Sequence, residues 1–417
     1  MWEKIAQGGL REMVQNLSDA DAIAMSEEFG TLNYNPIPVN LIKGENARVW
    51  DQAGKEYIDC IGAYSAVSHG HLNPKIVEAV KDQLENVAVV SRAFNNAEVS
   101  LFLHGLVEFC ELERACPMNT GAEAIETCIK LARKWGYTKK GVEKDKAEII
   151  VFKDNFHGRT TTIVGFSSEL AYKDMFGPYG PGFKIVPFGD MEALKAAITP
   201  NTVAILGEPI QAEGGIIMPP KGWMTEVREL CDQNNVLLIW DEIQVGFYRT
   251  GKKFAWMNEP SAKPDMIAVG KPLGGGMIAV SAAVGMNHVM EVFGYGDHGS
   301  TFGGNPLGSA VALTAMAEFE TGGYGERTTK LGELAFAKLR AANHPLIKEI
   351  RGQGLLIGIE FKPEVDAKKL GAAFVEQGIL TKQTRKNTFR LTPPLTIEED
   401  TLMEAIDRVL KAADSIA

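Results

Sequence analysis

Apolar and polar positions alternate along this chain in ways that change from one region to the next. Residues 1–30 repeat weakly at helical spacing and predict a weakly amphipathic helical arm. Tyr34-Asn-Pro-Ile-Pro38 predicts a stiff extended segment, because each proline fixes its own φ and biases the residue before it. From Val39 to Ile61 short apolar runs alternate with the turn residues Gly44-Glu-Asn46 and Gln52-Ala-Gly54, which predicts a small meander. Tyr64 to Gly70 reads as a loop. Asn73-Pro74 then opens a helix to about Asn86, with Ile76, Val77, Val80 and Leu84 at helical spacing.

From about Ala97 helix and strand patterns take turns. A helix is expected over 97–110. Arg114-Ala-Cys-Pro-Met118 leads into Asn119-Thr-Gly121 and a helix to about Tyr137. Ile149–Phe152, Ile185–Phe188, Val203–Leu206, Val236–Trp240 and Asp265–Val269 are apolar runs of strand length, with helices at 191–198 and 222–233. Such alternation implies a mainly parallel sheet with helices on both faces. The last third predicts helices at 306–320 and 326–342, then strands at Gly354–Phe361, Gly378–Thr381 and Thr388–Leu391. A final helix follows Thr396, where Thr396-Ile-Glu-Glu399 fits a capping box. The expected fold is therefore α/β. Residues 1–50 would form an N-terminal arm and a small-domain segment, 51–309 a large domain, and 310–417 a smaller α+β C-terminal domain.

Composition narrows the function. A chain of 417 residues is too long for one small core, and 45% hydrophobic with 23% charged residues is ordinary for a globular protein. A net charge of −10 argues against non-specific binding to nucleic acid or anionic membrane, so an anionic substrate would need locally placed arginines. The first residues lack a signal-peptide core, and no run approaches a membrane span. The five cysteines (Cys60, Cys110, Cys116, Cys128, Cys231) show no CxxC spacing, which suits reduced thiols in a cytoplasm-like compartment. His69-Gly-His71 has no cysteine or HExxH context and is read as non-metal.

Two strand ends carry the candidate chemistry. Val236–Trp240 ends in Asp241-Glu242, and Asp265–Val269 ends at Gly270-Lys271, where Pro272-Leu-Gly-Gly-Gly276 forbids a regular continuation. Ligands of open α/β sheets bind beyond the carboxyl ends of strands. An acid and an amine there suit pyridoxal phosphate, which needs a lysine to hold it and a carboxylate for its pyridine nitrogen. The plainer alternative is a pair of surface charges closing two strands. Asn119-Thr120-Gly121-Ala122, where a strand meets a helix, offers either an anion site or simply an N-cap. Ser300-Thr301-Phe-Gly-Gly304 offers a second hydroxyl and glycine cluster, or only a helix-entry loop.

Beyond these sites the chain resembles a known family over nearly its whole length: the class III (subgroup II) pyridoxal-phosphate aminotransferases, and within them the ornithine aminotransferases. The resemblance is carried by Tyr34-Asn-Pro-Ile-Pro-Val39, Tyr64-Ser-Ala-Val67, Ser91-Arg-Ala-Phe94, Pro117-Met-Asn-Thr-Gly121 and Lys130–Tyr137. It continues through Asn155-Phe-His-Gly-Arg159, Phe176-Gly-Pro178, Glu208-Pro-Ile-Gln211, Asp241-Glu-Ile-Gln244, His298-Gly-Ser-Thr301 and Phe389–Pro394. The first 30 or so residues match poorly. His157 stands where a tryptophan is expected and Ala212 where a glycine is, and neither is expected to touch an assigned role. The resemblance implies fold type I of the pyridoxal-phosphate transferases. It implies that Lys271 binds the cofactor and then moves the proton, Asp241 partners the pyridine nitrogen, Gln244 bonds the ring oxygen and Phe156 stacks on the ring. Thr120, Gly121 and Ala122, with Ser300 and Thr301, would serve the phosphate. Thr301 would reach that of a neighbouring subunit, which makes the active assembly a homodimer or larger.

For substrates the resemblance implies that Arg159 holds the distal carboxylate of 2-oxoglutarate and the α-carboxylate of ornithine. Arg390 would hold the α-carboxylate of glutamate, and Glu213 would occupy Arg390 while ornithine is bound. Tyr34 would bond the α-amino end of ornithine, and Tyr64 would narrow the pocket. Arginine suits these places because its planar fork grips a carboxylate with two bonds; the alternative for each is an exposed ion pair of little worth. The expected activity is transfer of ornithine's terminal amine to 2-oxoglutarate. Alternatives are another ω-aminotransferase, acting on N-acetylornithine or 4-aminobutyrate, and an amino-acid racemase of the same fold. A nucleotide-binding reading of Gly352-Gln-Gly354-Leu-Leu-Ile-Gly358 fails, because the glycine spacing is wrong and a strand follows.

Overall fold

In the computed structural model, which describes residues 1–416, the arm is helical but broken. It comprises Trp2–Ala6, Leu10–Asn16 and Asp19–Phe29, separated at Gly8-Gly9 and Leu17-Ser18, and none of these helices has a buried residue. The expected meander follows as β1 (Leu41–Glu45), β2 (Arg48–Asp51) and β3 (Glu56–Asp59), paired antiparallel.

The main sheet has seven strands: β4 (Arg114–Met118), β5 (Glu148–Phe152), β6 (Phe183–Val186), β7 (Thr202–Gly207), β8 (Leu237–Asp241), β9 (Met266–Val269) and β10 (Ser281–Gly285). Their spatial order is β4-β10-β9-β8-β7-β5-β6, and β10 alone runs against its neighbours. Burial on both faces explains the unbroken apolar runs. Ile150, Phe152, Leu238, Trp240, Ile267 and Val269 enter one core, while Ile149, Val151, Leu237, Ile239, Met266 and Ala268 enter the other. Each of the Val, Leu, Ile, Phe and Met side chains among them contributes roughly 1.5–3 kcal/mol by leaving water. Helix Gly121–Trp135 starts at a capping box between Thr120 and Glu123 and buries Ile125, Cys128, Ile129 and Ala132 against the second of these cores.

The C-terminal part forms β11 (Ile347–Gln353), β12 (Leu356–Phe361), β13 (Ile379–Leu380), β14 (Lys382–Gln383) and β15 (Thr388–Leu391). Four of these make the sheet β11-β12-β15-β14, while β13 pairs parallel with β3. The meander through residue 59 thus joins the C-terminal strands rather than the seven-stranded sheet, and a boundary at residue 50 falls inside β2. The sequence pattern missed β10, β11 and helix Ala367–Glu376. β10 is built of small residues, and β11 is mostly polar.

At the last helix the structure departs from the capping box that the sequence pattern predicts. The last helix, Glu399–Asp414, begins after Glu398 with no side-chain cap. The Thr396 hydroxyl instead donates to Asn46 Oδ1 at 2.5 Å, tying the meander to the C-terminal segment. Tertiary contact outcompeted the local motif. Thr396→Val is expected to shift the urea midpoint by the equivalent of about 1 kcal/mol, the net worth of one hydrogen bond. Glu399→Gln, which would damage a capping box, removes only an exposed pair with Lys330 and changes stability by less than about 0.5 kcal/mol.

Candidate active site

The strands other than β10 that border the site deliver its residues from their carboxyl ends. Asn119–Ala122 follow β4, Phe156–Arg159 follow β5, Glu208–Glu213 follow β7, Asp241 closes β8 and Lys271 follows β9. Asp241 lies opposite Ala268 in the parallel ladder, three residues before Lys271. Lys271 itself has φ of 42°, a left-handed backbone that a side chain rarely adopts, at the entry to the 3-10 turn Lys271–Gly274. Such strain persists where the surroundings impose it.

Gly121, Ala122, Phe156, His157, Asp241, Gln244 and Lys271 line a cavity of about 180 Å³. The Asp241 carboxylate accepts from His157 Nδ1 at 2.8 Å and from the Ile243 backbone N–H at 3.0 Å. His157 is fully buried and its Nε2 has no partner among the described residues. Burial opposes protonation of His157, but the hydrogen bond and charge of Asp241 outweigh it and hold the imidazole above its ordinary pKa. Nearby Glu208 is pushed up to about 7 by burial, and accepts from the backbone of Phe156 and Ala212.

A larger cavity of about 900 Å³ opens beside the first, sharing Phe156 and Lys271 and lined by Tyr34, Tyr64, Arg159, Tyr172, Glu213, Lys382 and Arg390. Arg390 is only 2% exposed. Its Nη1 donates to Glu213 Oε1 at 2.5 Å and to Gln244 Oε1 at 2.9 Å, and Gln244 Nε2 donates to Glu213 at 3.3 Å. Burial disfavours the Glu213 carboxylate, yet the charges of Arg390 and Lys271 hold it below the usual range. The Arg390 guanidinium also lies 5.1 Å from the Tyr64 ring centre.

Most of the residues singled out from sequence converge on these two cavities. Thr120 does not: its hydroxyl accepts from Glu123 N–H within the helix cap, so the N-cap alternative holds there. Ser300 accepts from Asn119 Nδ2 and Gly303 N–H, and neither it nor Thr301 lines either cavity. The expectation that His157 touches no assigned role is wrong, since it bonds Asp241 directly. The motif containing it was visible, but nothing in its spacing shows an ion pair made across 84 positions. Tyr172 was missed altogether, because it sits on a four-residue helix, Leu170–Lys173, too short to leave a periodic signal. Of the histidine pair, His69 bonds the Ala315 carbonyl and His71 bonds Asp59.

The family model for class-III aminotransferases matches residues 29–413. The chain belongs to the class-III aminotransferases. Among relatives of this class, the ornithine aminotransferase of Brevibacillus brevis is 48% identical over 93% of this chain and 96% of that protein. The structure of the ornithine aminotransferase from Toxoplasma gondii superposes with a TM-score of 0.96 at 37% identity, covering 99% of this chain and 97% of the other. The acetylornithine aminotransferase from Elizabethkingia anophelis superposes with a TM-score of 0.85 at 39% identity, covering 95% and 99%.

Class-III aminotransferases depend on pyridoxal phosphate, and the smaller cavity suits it. An amine with no hydrogen-bond partner among the described residues, a carboxylate, an aromatic face and the first turn of a helix surround one space. The N–H groups of Gly121 and Ala122 have no acceptor within that helix, as its geometry dictates, so they can meet a phosphate.

Burial brings the Lys271 ammonium down to about 8, with Arg390 adding to the effect and Glu213, Asp241 and Glu208 opposing it. An unfolded lysine titrates near 10.4, so between about 8 and about 10.4 the unfolded chain holds a proton that the folded chain has lost. Stability from this group therefore rises with pH across that window. In cofactor-free protein, the thermal midpoint of the parent should gain on that of Lys271→Met as pH rises from 8 to 10. A constant difference would contradict the burial of this amine.

Proposed function

We propose that the chain is an L-ornithine:2-oxo-acid δ-aminotransferase, giving glutamate-5-semialdehyde from ornithine and glutamate from 2-oxoglutarate in two half-reactions. The single observation that carries this reading is the buried Glu213–Arg390 pair beside an uncommitted Arg159. Ornithine carries one carboxylate and two amines. With Arg390 occupied, that carboxylate is drawn to Arg159, and the terminal amine is the one left to face Lys271. Glutamate carries a second carboxylate, which can replace Glu213 on Arg390. Tyr34 and Tyr64 line the same cavity, which supports Tyr34 as the partner of ornithine's α-amino end and Tyr64 as the residue that narrows the pocket.

Bound pyridoxal phosphate supplies an electron-withdrawing ring and a carbon that holds the amino group between half-reactions. The chain supplies the rest. Lys271 Nζ anchors the group and then carries the proton between carbons of the bound substrate, a task suited to an amine brought toward neutral pH. Asp241, kept in place by His157 and the Ile243 N–H, would partner the pyridine nitrogen. Phe156 would cover one ring face, and Gly121 and Ala122 would receive the phosphate. Gln244, which lines the smaller cavity and whose amide joins Arg390 and Glu213, would bond the ring oxygen.

Thr301, exposed and outside its own chain's cavities, serves the phosphate of a second copy in this reading. Exposed Val87, Val89, Phe94 and Phe302 support such a homodimer, because their segments adjoin: Leu307 N–H bonds Ala88 O, and Gly304 approaches Arg92. Five unpaired cysteines support a reducing compartment, the cytoplasm. N-acetylornithine is the second reading, favoured by the 39% identity to the Elizabethkingia anophelis enzyme.

A donor screen with 2-oxoglutarate decides between them: ornithine should be the preferred donor by kcat/KM, and preference for N-acetylornithine would overturn the proposal. Lys271→Ala should keep the fold and lose turnover by several orders of magnitude, as loss of a covalent catalyst does. Glu213→Ala should leave glutamate turnover intact or faster. It should also lower the enzyme's preference for ornithine's terminal amine by roughly ten- to hundred-fold, the worth of a charge-assisted pair. Chromatography separates the two pyrroline products, which differ in whether the carboxylate sits on the saturated or the imine carbon. An unchanged product ratio would reduce Glu213 to a structural ion-pair partner.

A further inference from the structure

The two arginines of the large cavity are held in different ways. Arg390 is gripped at its edge: Nη1 is committed to Glu213 and Gln244. Arg159 makes no hydrogen bond or ion pair among the described residues, yet it is not loose. Its guanidinium carbon lies 3.5 Å from the ring centre of Tyr172 and 5.5 Å from that of Phe156. The Tyr172 and Phe156 rings meet edge to face, with centres 6.0 Å apart and planes at 81°.

A guanidinium is planar, and its N–H donors all lie in its plane. Stacking on an aromatic ring uses the face and leaves those donors free. An ion pair fixes the same side chain by consuming them. A carboxylate-binding arginine that must be ready in both half-reactions is therefore better held by a ring than by an acid. We infer that Tyr172 is a positioning residue that holds Arg159 by its face and keeps its N–H edge open for the substrate carboxylate. This rests on the reading of Arg159 as the carboxylate site.

The position of Tyr172 is itself fixed. A four-residue helix has little stability alone. Here Glu169 accepts from Ala171 N–H at its start, and Lys173 Nζ reaches the Gly165 carbonyl at 2.9 Å. The Tyr172 hydroxyl has no partner among the described residues, so the ring rather than the oxygen does the holding. The edge contact with Phe156 also joins the substrate carboxylate site to the residue proposed to cover the cofactor. One ring thus braces both.

The test uses the holoenzyme and its steady-state kinetics with ornithine and 2-oxoglutarate. Tyr172→Ala and Tyr172→Leu, which remove the aromatic face with and without loss of bulk, should raise KM for both substrates by about three- to thirty-fold, the range of a cation–π contact. Their kcat should stay within about three-fold of the parent, since binding rather than chemistry is lost. Tyr172→Phe should match the parent within about two-fold. Arg159→Ala should raise both KM values at least as much, and adding Tyr172→Ala to it should have no further effect. Loss in Tyr172→Phe equal to that in Tyr172→Ala, or additive loss in the double variant, would overturn the inference and leave the Arg159 reading intact. If Arg159→Ala raises neither KM, the carboxylate site and the inference fall together.

Discussion

A guanidinium can be buried at the floor of a cavity only if something answers its charge. For Arg390 that something is Glu213, with the Gln244 amide completing the cluster. Removing one partner of a buried pair leaves an unmatched charge, typically at a cost of about 3–5 kcal/mol. In the proposed function the pair opens when an incoming carboxylate takes Glu213's place. Arg390 comes from β15 of the C-terminal sheet, while Glu213 and Gln244 follow β7 and β8 of the main sheet. The cluster thus joins residues of the two sheets. Gln244 also lines the cofactor cavity, so the state of the pair is felt next to the ring.

Around that pair the topology does the rest of the positioning. Parallel strands buried on both faces present their carboxyl ends at one edge, and that edge gathers Phe156, Glu208, Asp241 and Lys271 without any of them being close in sequence. Local strain is present at this edge, as in Lys271 with φ 42° and Tyr64 with φ 58°. The ionisable groups gathered there do not share one charge state. Lys271 is drawn down to about 8 and Glu208 up to about 7, while Glu213 is kept below its ordinary range. A low-dielectric pocket with that spread can bind anions, hold a carboxylate near a ring nitrogen and move protons close to neutral pH.

Sequence patterns revealed those features that are local. Asp241 and Lys271 stand out because each ends an apolar run, and the alternation of such runs with helices is enough to expect the main sheet. The residue roles came through a resemblance, and the Glu213–Arg390 contact it implied is present in the fold. What stayed hidden is tertiary. His157 looks like a bystander until β5 and β8 are placed side by side around β7 and its ring meets Asp241. Tyr172 belongs to no motif, and its value lies in the ring it offers Arg159 and Phe156. Thr396 carried a persuasive capping pattern, yet its hydroxyl went to Asn46, 350 positions away. β10 and helix Ala367–Glu376 were overlooked because small residues and mixed polarity blur periodicity.

In the proposed function the closed Glu213–Arg390 pair directs ornithine's terminal amine, and not its α-amine, to the reacting centre. Ornithine labelled with nitrogen-15 at the terminal amine alone, incubated with 2-oxoglutarate and the enzyme, tests it directly by mass spectrometry of both products. The label should appear in glutamate, leaving an unlabelled pyrroline carboxylate. Unlabelled glutamate, with the label retained in the ring, would contradict it.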